Sequence, residues 1–157
     1  MGKLADICVR VARPADCELL ARLRAALWPD SSAQEHAQEL LSILDGKAPG
    51  QLPLIELVAE DRSRELVGFA EVGLRSHADG CDAAHAVGYL EGWYVIESHR
   101  KRGIGGQLLH AAEEWARKQG CVEMASDALL ENELSQRVHE ALGYQEVERC
   151  VRYRRTL

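Results

Sequence analysis

Three bases and three glycines crowd into one short run, Arg100-Lys101-Arg102-Gly103-Ile104-Gly105-Gly106. The apolar Val95-Ile96 leads into it as the end of a strand would, and helical spacing begins at Ile104. A strand that turns through basic residues into a helix presents free N–H groups and the positive end of the helix dipole, while glycines let backbone approach a ligand with no Cβ in the way. The chemistry this fits is anion binding, a pyrophosphate above all. A solvated turn is the competing reading. Two familiar phosphate motifs are excluded: GxxxxGKS/T is missing, and no GxGxxG stands at the first strand-to-helix turn.

Carboxylates supply the opposite charge. Asp127 follows a strand, where it can hold an ammonium and accept its proton as a general base, or merely cap a loop. Glu91 interrupts an apolar strand, where an acid is costly unless paired or functional, and where burial would raise its pKa toward a base's working range. From Asp127 to Glu148 six acids, Asp127, Glu131, Glu133, Glu140, Glu146 and Glu148, face one base, Arg137. Such a run is a solvated face or a cation site; screened ion pairs contribute only about 0–1 kcal/mol each, so a polycation needs several. His139 and His77 add imidazoles, the latter beside Asp79 in a polar loop. The five cysteines, Cys8, Cys17, Cys81, Cys121 and Cys150, have neither CxxC nor Cys/His finger spacing and no readable Cys–His pairing. They point to reduced thiols, with no metal site and no acyl-cysteine intermediate.

The elements that must position these groups follow from periodicity. Ile7, Val9 and Val11 alternate in a strand over Asp6–Ala12. Leu19, Leu20, Leu23 and Leu27 make a helix from Asp16 to Trp28, stopped by Pro29. Ser32 and Glu35 form a capping box for a second helix ending near Asp45-Gly46, and a loop follows over Lys47–Pro53. Leu54–Glu60 and Leu66–Arg75, joined by the polar turn Asp61–Arg64, read as a hairpin. The loop Ser76–Ala86 exceeds an ordinary hairpin connection and is a candidate substrate-facing loop. A long strand over Val87–Ile96, a helix from Ile104 to Gly120, a short strand Cys121–Ser126, a helix Asn132–Leu142 with Asn132 as N-cap, and a final strand over Tyr144–Arg154 complete the chain. The expected architecture is α/β, a mixed sheet with helices on both faces.

With 157 residues, 46% of them hydrophobic, the chain fits a single domain, 1–157, with enough core to need no disulfide or structural metal. A formal net charge of -6 argues against nucleic acid and favours cationic partners. No apolar run reaches the roughly 20 residues of a membrane span. No signal peptide is readable at the N-terminus, so no membrane partner and a cytoplasmic location are expected.

Arg100-x-x-Gly103-x-Gly105 after a strand of a short mixed-sheet chain resembles the pyrophosphate loop of the GCN5-related N-acetyltransferase (GNAT) family, which binds acetyl-coenzyme A. The order of elements follows that family over essentially the full chain, implying the GNAT fold with a mostly antiparallel central sheet. Within it, Leu27-Trp28-Pro29, Gly80-Cys81-Asp82, Leu90-Glu91-Gly92, Met124-Ala125-Ser126-Asp127, Glu131-Asn132 and Gly143-Tyr144 with Glu148 resemble the aminoglycoside 6'-N-acetyltransferases.

The resemblance implies acetyl transfer from acetyl-coenzyme A to the 6'-amine of an aminoglycoside, conferring resistance, by direct attack in a ternary complex and without metal. It places the cofactor on Trp93, Tyr94, Val95, Arg100, Lys101, Arg102, Gly103, Ile104, Gly105, Gly106 and Asn132, with a backbone N–H of Trp93–Val95 stabilising the oxyanion. It places the drug on Trp28, His77, Glu91, Asp127 and Glu148, with Asp127 or Glu91 as base. His139 stands where many members of the wider family carry a tyrosine that protonates the departing thiolate, a task open to a histidine near neutral pH. Relatives are commonly homodimers. Two rivals remain at this stage: acetyl transfer to another amine, a polyamine or a protein N-terminus, and a non-catalytic acetyl-coenzyme A-binding module.

Overall fold

A computed structural model describes residues 7–46 and 52–157. Strands β1 (Cys8–Val11), β2 (Leu54–Glu60), β3 (Leu66–Arg75), β4 (Val87–Val95) and β5 (Met124–Ser126) form one sheet in that order. The first three pairings are antiparallel, and β4 with β5 is parallel. Helices α1 (Cys17–Leu27) and α2 (Ala33–Leu44) cover one face, burying Leu20, Leu23 and Leu40 against Val58 and Phe69. Helix α3 (Ile104–Lys118) covers the other, where Ile104, Leu108 and Ala112 meet Leu57, Ala70, Val72 and Leu90. Helix α4 (Glu133–Ala141) follows β5. The mixed sheet with helices on both faces is as the sequence predicts.

Local signals explain the boundaries. Ser32 Oγ accepts from the Glu35 N–H at 3.2 Å and Glu35 returns a bond to the Ser32 N–H at 2.7 Å, so the expected capping box starts α2. Asp61 Oδ1 accepts from the N–H groups of Ser63 and Glu65 and so closes the turn between β2 and β3.

Two expectations need correction. The strand expected over Cys121–Ser126 is confined to Met124–Ser126, and the final strand over Tyr144–Arg154 does not form. Its alternation is real, but Val147, Val151 and Tyr153 are exposed, and a strand exists only where an edge supplies hydrogen-bond partners. Asp6, where the sequence reading begins the first strand, and residues 47–51, where it expects a loop, lie outside the described residues. No described helix is long and apolar enough to cross a membrane.

One irregularity shapes the site. Gly92 of β4 pairs with Glu71 and Leu90 pairs with Val72, leaving Glu91 as an extra residue, a β-bulge. Pairing between β4 and β5 ends at Leu90 and Ser126, so the two strands part where the bulge begins. Beyond that point the β5-facing edge of Gly92–Val95 is unpaired, and a wedge opens between the strands.

Candidate active site

The basic run forms the start of α3. Gly103 is its N-cap at φ 77°, a left-handed conformation that glycine adopts without strain, and Lys101 is also left-handed at φ 61°. No side chain caps this end, and the first helical bond runs from the Gln107 N–H to Gly103 C=O at 3.1 Å. The N–H groups of Ile104, Gly105 and Gly106 therefore face outward, fit to hold an anion. Arg100 is fixed by donating from Nε to Val95 C=O at 2.9 Å with its guanidinium over the Tyr94 ring. Gly105 serves packing as well: a Cβ there would lie 2.7 Å from the Trp93 ring. Arg100, Lys101 and Gly103–Gly106 line a cleft of about 1350 Å³ together with Trp93–Val95 and Asn132; Arg102 does not line it. Asn132 caps α4, its Oδ1 accepting from the Ser135 N–H at 3.1 Å.

A second cleft of about 1250 Å³ lies beside the loop Ser76–Ala86. It is strongly acidic, with Glu71, Asp79, Glu123, Glu140 and Glu146 among its lining, and it contains the exposed His77. Glu91, Asp127, His139 and Glu148 line both clefts, so the wedge between β4 and β5 is where the two meet. Trp28 covers the bulge from the α1 side, and a Cβ on Gly92 would lie 2.3 Å from its ring. Trp28 is itself held edge-on by Phe69 at 5.8 Å.

Glu91 and Asp127 each have a guanidinium partner absent from the sequence reading. Arg75 clamps both oxygens of Glu91, at 3.0 and 2.6 Å, and lies flat on the Tyr89 ring, 3.3 Å from its centroid. Glu91 is thus no lone buried acid but a paired, partly exposed one. Asp127 accepts from Arg152 at 2.9 Å, and that arginine belongs to the segment where a strand was expected. Burial and the nearby Asp127 raise the Tyr89 phenol above its usual range. His139 stands edge-on between the rings of Trp93 and Tyr144, at 5.7 and 5.6 Å. Arg75 had a signal, its place on the face of β3 that carries Glu71; Arg152 and Tyr89 had none, since only the fold brings them to Asp127.

Beneath the bulge lies a charge cluster centred on the buried Arg24 and Glu56. Arg24 donates to Glu56 at 2.7 Å, lies 2.8 Å from Glu71 and bonds the more exposed Glu39 at 2.7 Å. Burial, then the adjoining Glu71, pushes the Glu56 carboxyl well above its usual range, so it keeps its proton. Glu56 Oε2 has no hydrogen-bond partner besides the adjoining Glu71 carboxyl, and Glu71 Oε2 has the Arg24 guanidinium at 2.8 Å.

A helix start fit to hold an anion, a wedge between parallel strands and an acidic cleft beside it are the arrangement an acyl-group transferase needs. The chain belongs to the acetyltransferase (GNAT) family, whose model matches residues 17–144. It is 42% identical over 146 residues to aminoglycoside N(6')-acetyltransferase type 1 of Klebsiella aerogenes, covering 92% of this chain and 94% of the relative. The enzyme of the same name from Stenotrophomonas maltophilia is 40% identical over 95% of this chain and 93% of its own length. Among solved structures, aminoglycoside N-acetyltransferase AAC(6')-Iy in complex with CoA superposes with a TM-score of 0.88 at 34% identity, covering 100% of this chain and 99% of that one. The same enzyme with the bisubstrate analog CoA-S-monomethyl-acetylneamine gives 0.87 at 34% identity, covering 98% and 100%.

Proposed function

We propose that this chain transfers the acetyl group of acetyl-coenzyme A to the 6'-amino group of aminoglycoside antibiotics and so confers resistance to them. The observation that carries the reading is the meeting of an anion-binding cleft and an acidic cleft at Asp127, in a chain whose relatives are named for this reaction. The residues present fit the cosubstrate. The outward N–H groups of Ile104–Gly106, with Arg100 and Lys101 beside them, suit its pyrophosphate, and the free edge of Trp93–Val95 suits its amide-bearing arm and the oxyanion. The drug's ammonium groups fall to Glu91, Glu148 and the acidic cleft, with Trp28 and His77 as its walls.

Asp127 takes the proton of the attacking amine. Its side chain is 45% exposed and its single guanidinium partner is a mobile-length arginine at the surface, whereas Arg75 occupies both oxygens of Glu91. Glu91 then acts as a fixed negative charge. The neutral amine attacks the thioester carbon directly, and His139 is the source of the proton that ends on the departing sulfur. The chain works as one domain over 1–157 and, by its five free thiols, in the reducing cytoplasm. It forms a homodimer, supported by the exposed, alternating Val147, Val151 and Tyr153, which lack an edge in their own chain.

Thiol release from acetyl-coenzyme A with kanamycin, spermidine and a peptide amine tests the reading. Release is expected with kanamycin and little with a 6'-hydroxyl aminoglycoside. Release with spermidine or peptide alone would assign another amine, and none with any amine would leave a binding module.

A further inference from the structure

Ser126 lines both clefts beside His139, and its hydroxyl is bonded to the imidazole. His139 Nδ1 lies 2.8 Å from the Ser135 carbonyl oxygen, and its Nε2 lies 2.9 Å from Ser126 Oγ. Ser126 Oγ in turn lies 3.4 Å from the Leu90 carbonyl oxygen, at the last paired position before β4 and β5 part.

A carbonyl oxygen only accepts, and at 2.8 Å it is nearer to Nδ1 than the Ser135 hydroxyl at 3.3 Å, so the contact assigns the hydrogen of the neutral ring to Nδ1. In the neutral ring Nε2 is then an acceptor, and Ser126 donates to it. In the protonated ring Nε2–H donates to Ser126 Oγ, which frees the serine hydrogen to point along the wedge, toward Leu90 or a ligand atom. The same three atoms are satisfied in both states, with the direction of donation reversed. The rings of Trp93 and Tyr144 hold the imidazole edge-on from both sides, and Tyr144 is tied to Glu113 of α3 at 3.4 Å. Ser126 adjoins Asp127, so donor and acceptor of protons stand on consecutive residues at the place where both clefts meet.

We propose that Ser126 is the group that hands a proton to the departing coenzyme sulfur and that His139 recharges it. This rests on the acetyl-transfer reading above and adds the residue that touches the reacting atoms. As the amine nitrogen bonds to the acetyl carbon, the carbon–sulfur bond breaks and its electron pair leaves on sulfur. Sulfur takes the Ser126 hydrogen, Oγ takes the Nε2 hydrogen of protonated His139, and the amine's surplus proton goes to Asp127. His139 ends neutral, with Nδ1–H still on Ser135, and regains its proton from water.

Single-turnover acetyl transfer to kanamycin tests this. Ser126→Ala lowers the rate about a hundredfold, the lower range of acid–base contributions, with acetyl-coenzyme A affinity unchanged. Ser126→Thr, which keeps the hydroxyl, restores most of the rate. The double variant Ser126→Ala/His139→Gln is no slower than either single one, because the two act as a unit. A wild-type rate for Ser126→Ala, or losses that multiply in the double variant, would overturn the relay. Nitrogen-15 NMR of the histidine rings in the intact wild-type chain reads the same geometry without turnover: the neutral Nδ1–H form is expected for His139, and the Nε2–H form refutes the proposal. If wild type transfers acetyl to no amine, the function and the relay fall together, whereas active wild type with the Nε2–H tautomer overturns the relay alone.

Discussion

Arg24→Met and Glu56→Gln, side by side, separate charge from shape in the buried cluster. Arg24 is 5% exposed, and the Glu56 and Glu71 side chains it faces are 0% and 11% exposed. Removing the guanidinium leaves the buried Glu71 carboxylate without its cation, and breaking a buried pair in this way costs about 3–5 kcal/mol. For a domain of this size that corresponds to a melting temperature lower by roughly 6–20 °C. Glutamine at 56 copies the protonated acid: its oxygen accepts from Arg24 and its amide donates to Glu71. Its expected cost at pH 7 is under about 1 kcal/mol, as for an isosteric replacement that leaves every polar atom paired. The sign with pH follows from the raised carboxyl. A folded-state pKa above the unfolded one gives stability that is complete below the ordinary glutamate range and declines as pH rises through the folded value. Urea melts across pH should therefore show Glu56→Gln gaining on wild type as pH rises. An equal loss from both substitutions at pH 7 would refute the claim that Glu56 holds a proton.

Four other outcomes follow from the geometry. Asp127→Asn should lower turnover by about 10²–10⁴-fold with modest change in drug affinity, read by steady-state kinetics. Gly92→Ala should displace Trp28 from the bulge and raise KM for the drug more than for acetyl-coenzyme A, whereas Gly105→Ala, crowding Trp93, should do the reverse. Disulfide-reagent labelling should modify the exposed Cys8 and Cys150 first; Cys17 and Cys121 are buried, and burial pushes the Cys81 thiol up to about 11. Val147→Glu with Val151→Glu should shift sedimentation toward monomer if these side chains form the dimer contact.

The sequence was most legible where the signal was local. The capping box at Ser32, the hairpin around Asp61 and the glycine-bearing start of α3 each depend on residues within a few positions of one another. It failed where a partner had to be supplied from afar. Alternation over Tyr144–Arg154 predicts a strand but cannot tell whether an edge is available. Glu91 read as an acid in need of a partner or a function, and the partner could not be named because Arg75, sixteen positions earlier, reaches it only across the β3–β4 pairing. Ser126 was in plain sight beside Asp127, yet its link to His139 needs α4 folded back over β5.

The extra residue at Glu91 also resets the phase of β4. Tyr89 lies on the face with Arg75, and Leu90 faces the α3 core. Simple alternation would then turn Trp93 toward α1 and Tyr94 toward α3. The opposite holds: Trp93 and Val95 join the α3 core, while Gly92 meets Trp28 and Tyr94 joins the α1 cluster. One strand thereby sends two consecutive positions, Glu91 and Gly92, to the acceptor side and returns Trp93 to the cofactor side. A single-residue deletion at 91 or 92 would exchange the faces of everything downstream to Val95, so chain length at this point is constrained as well as residue identity.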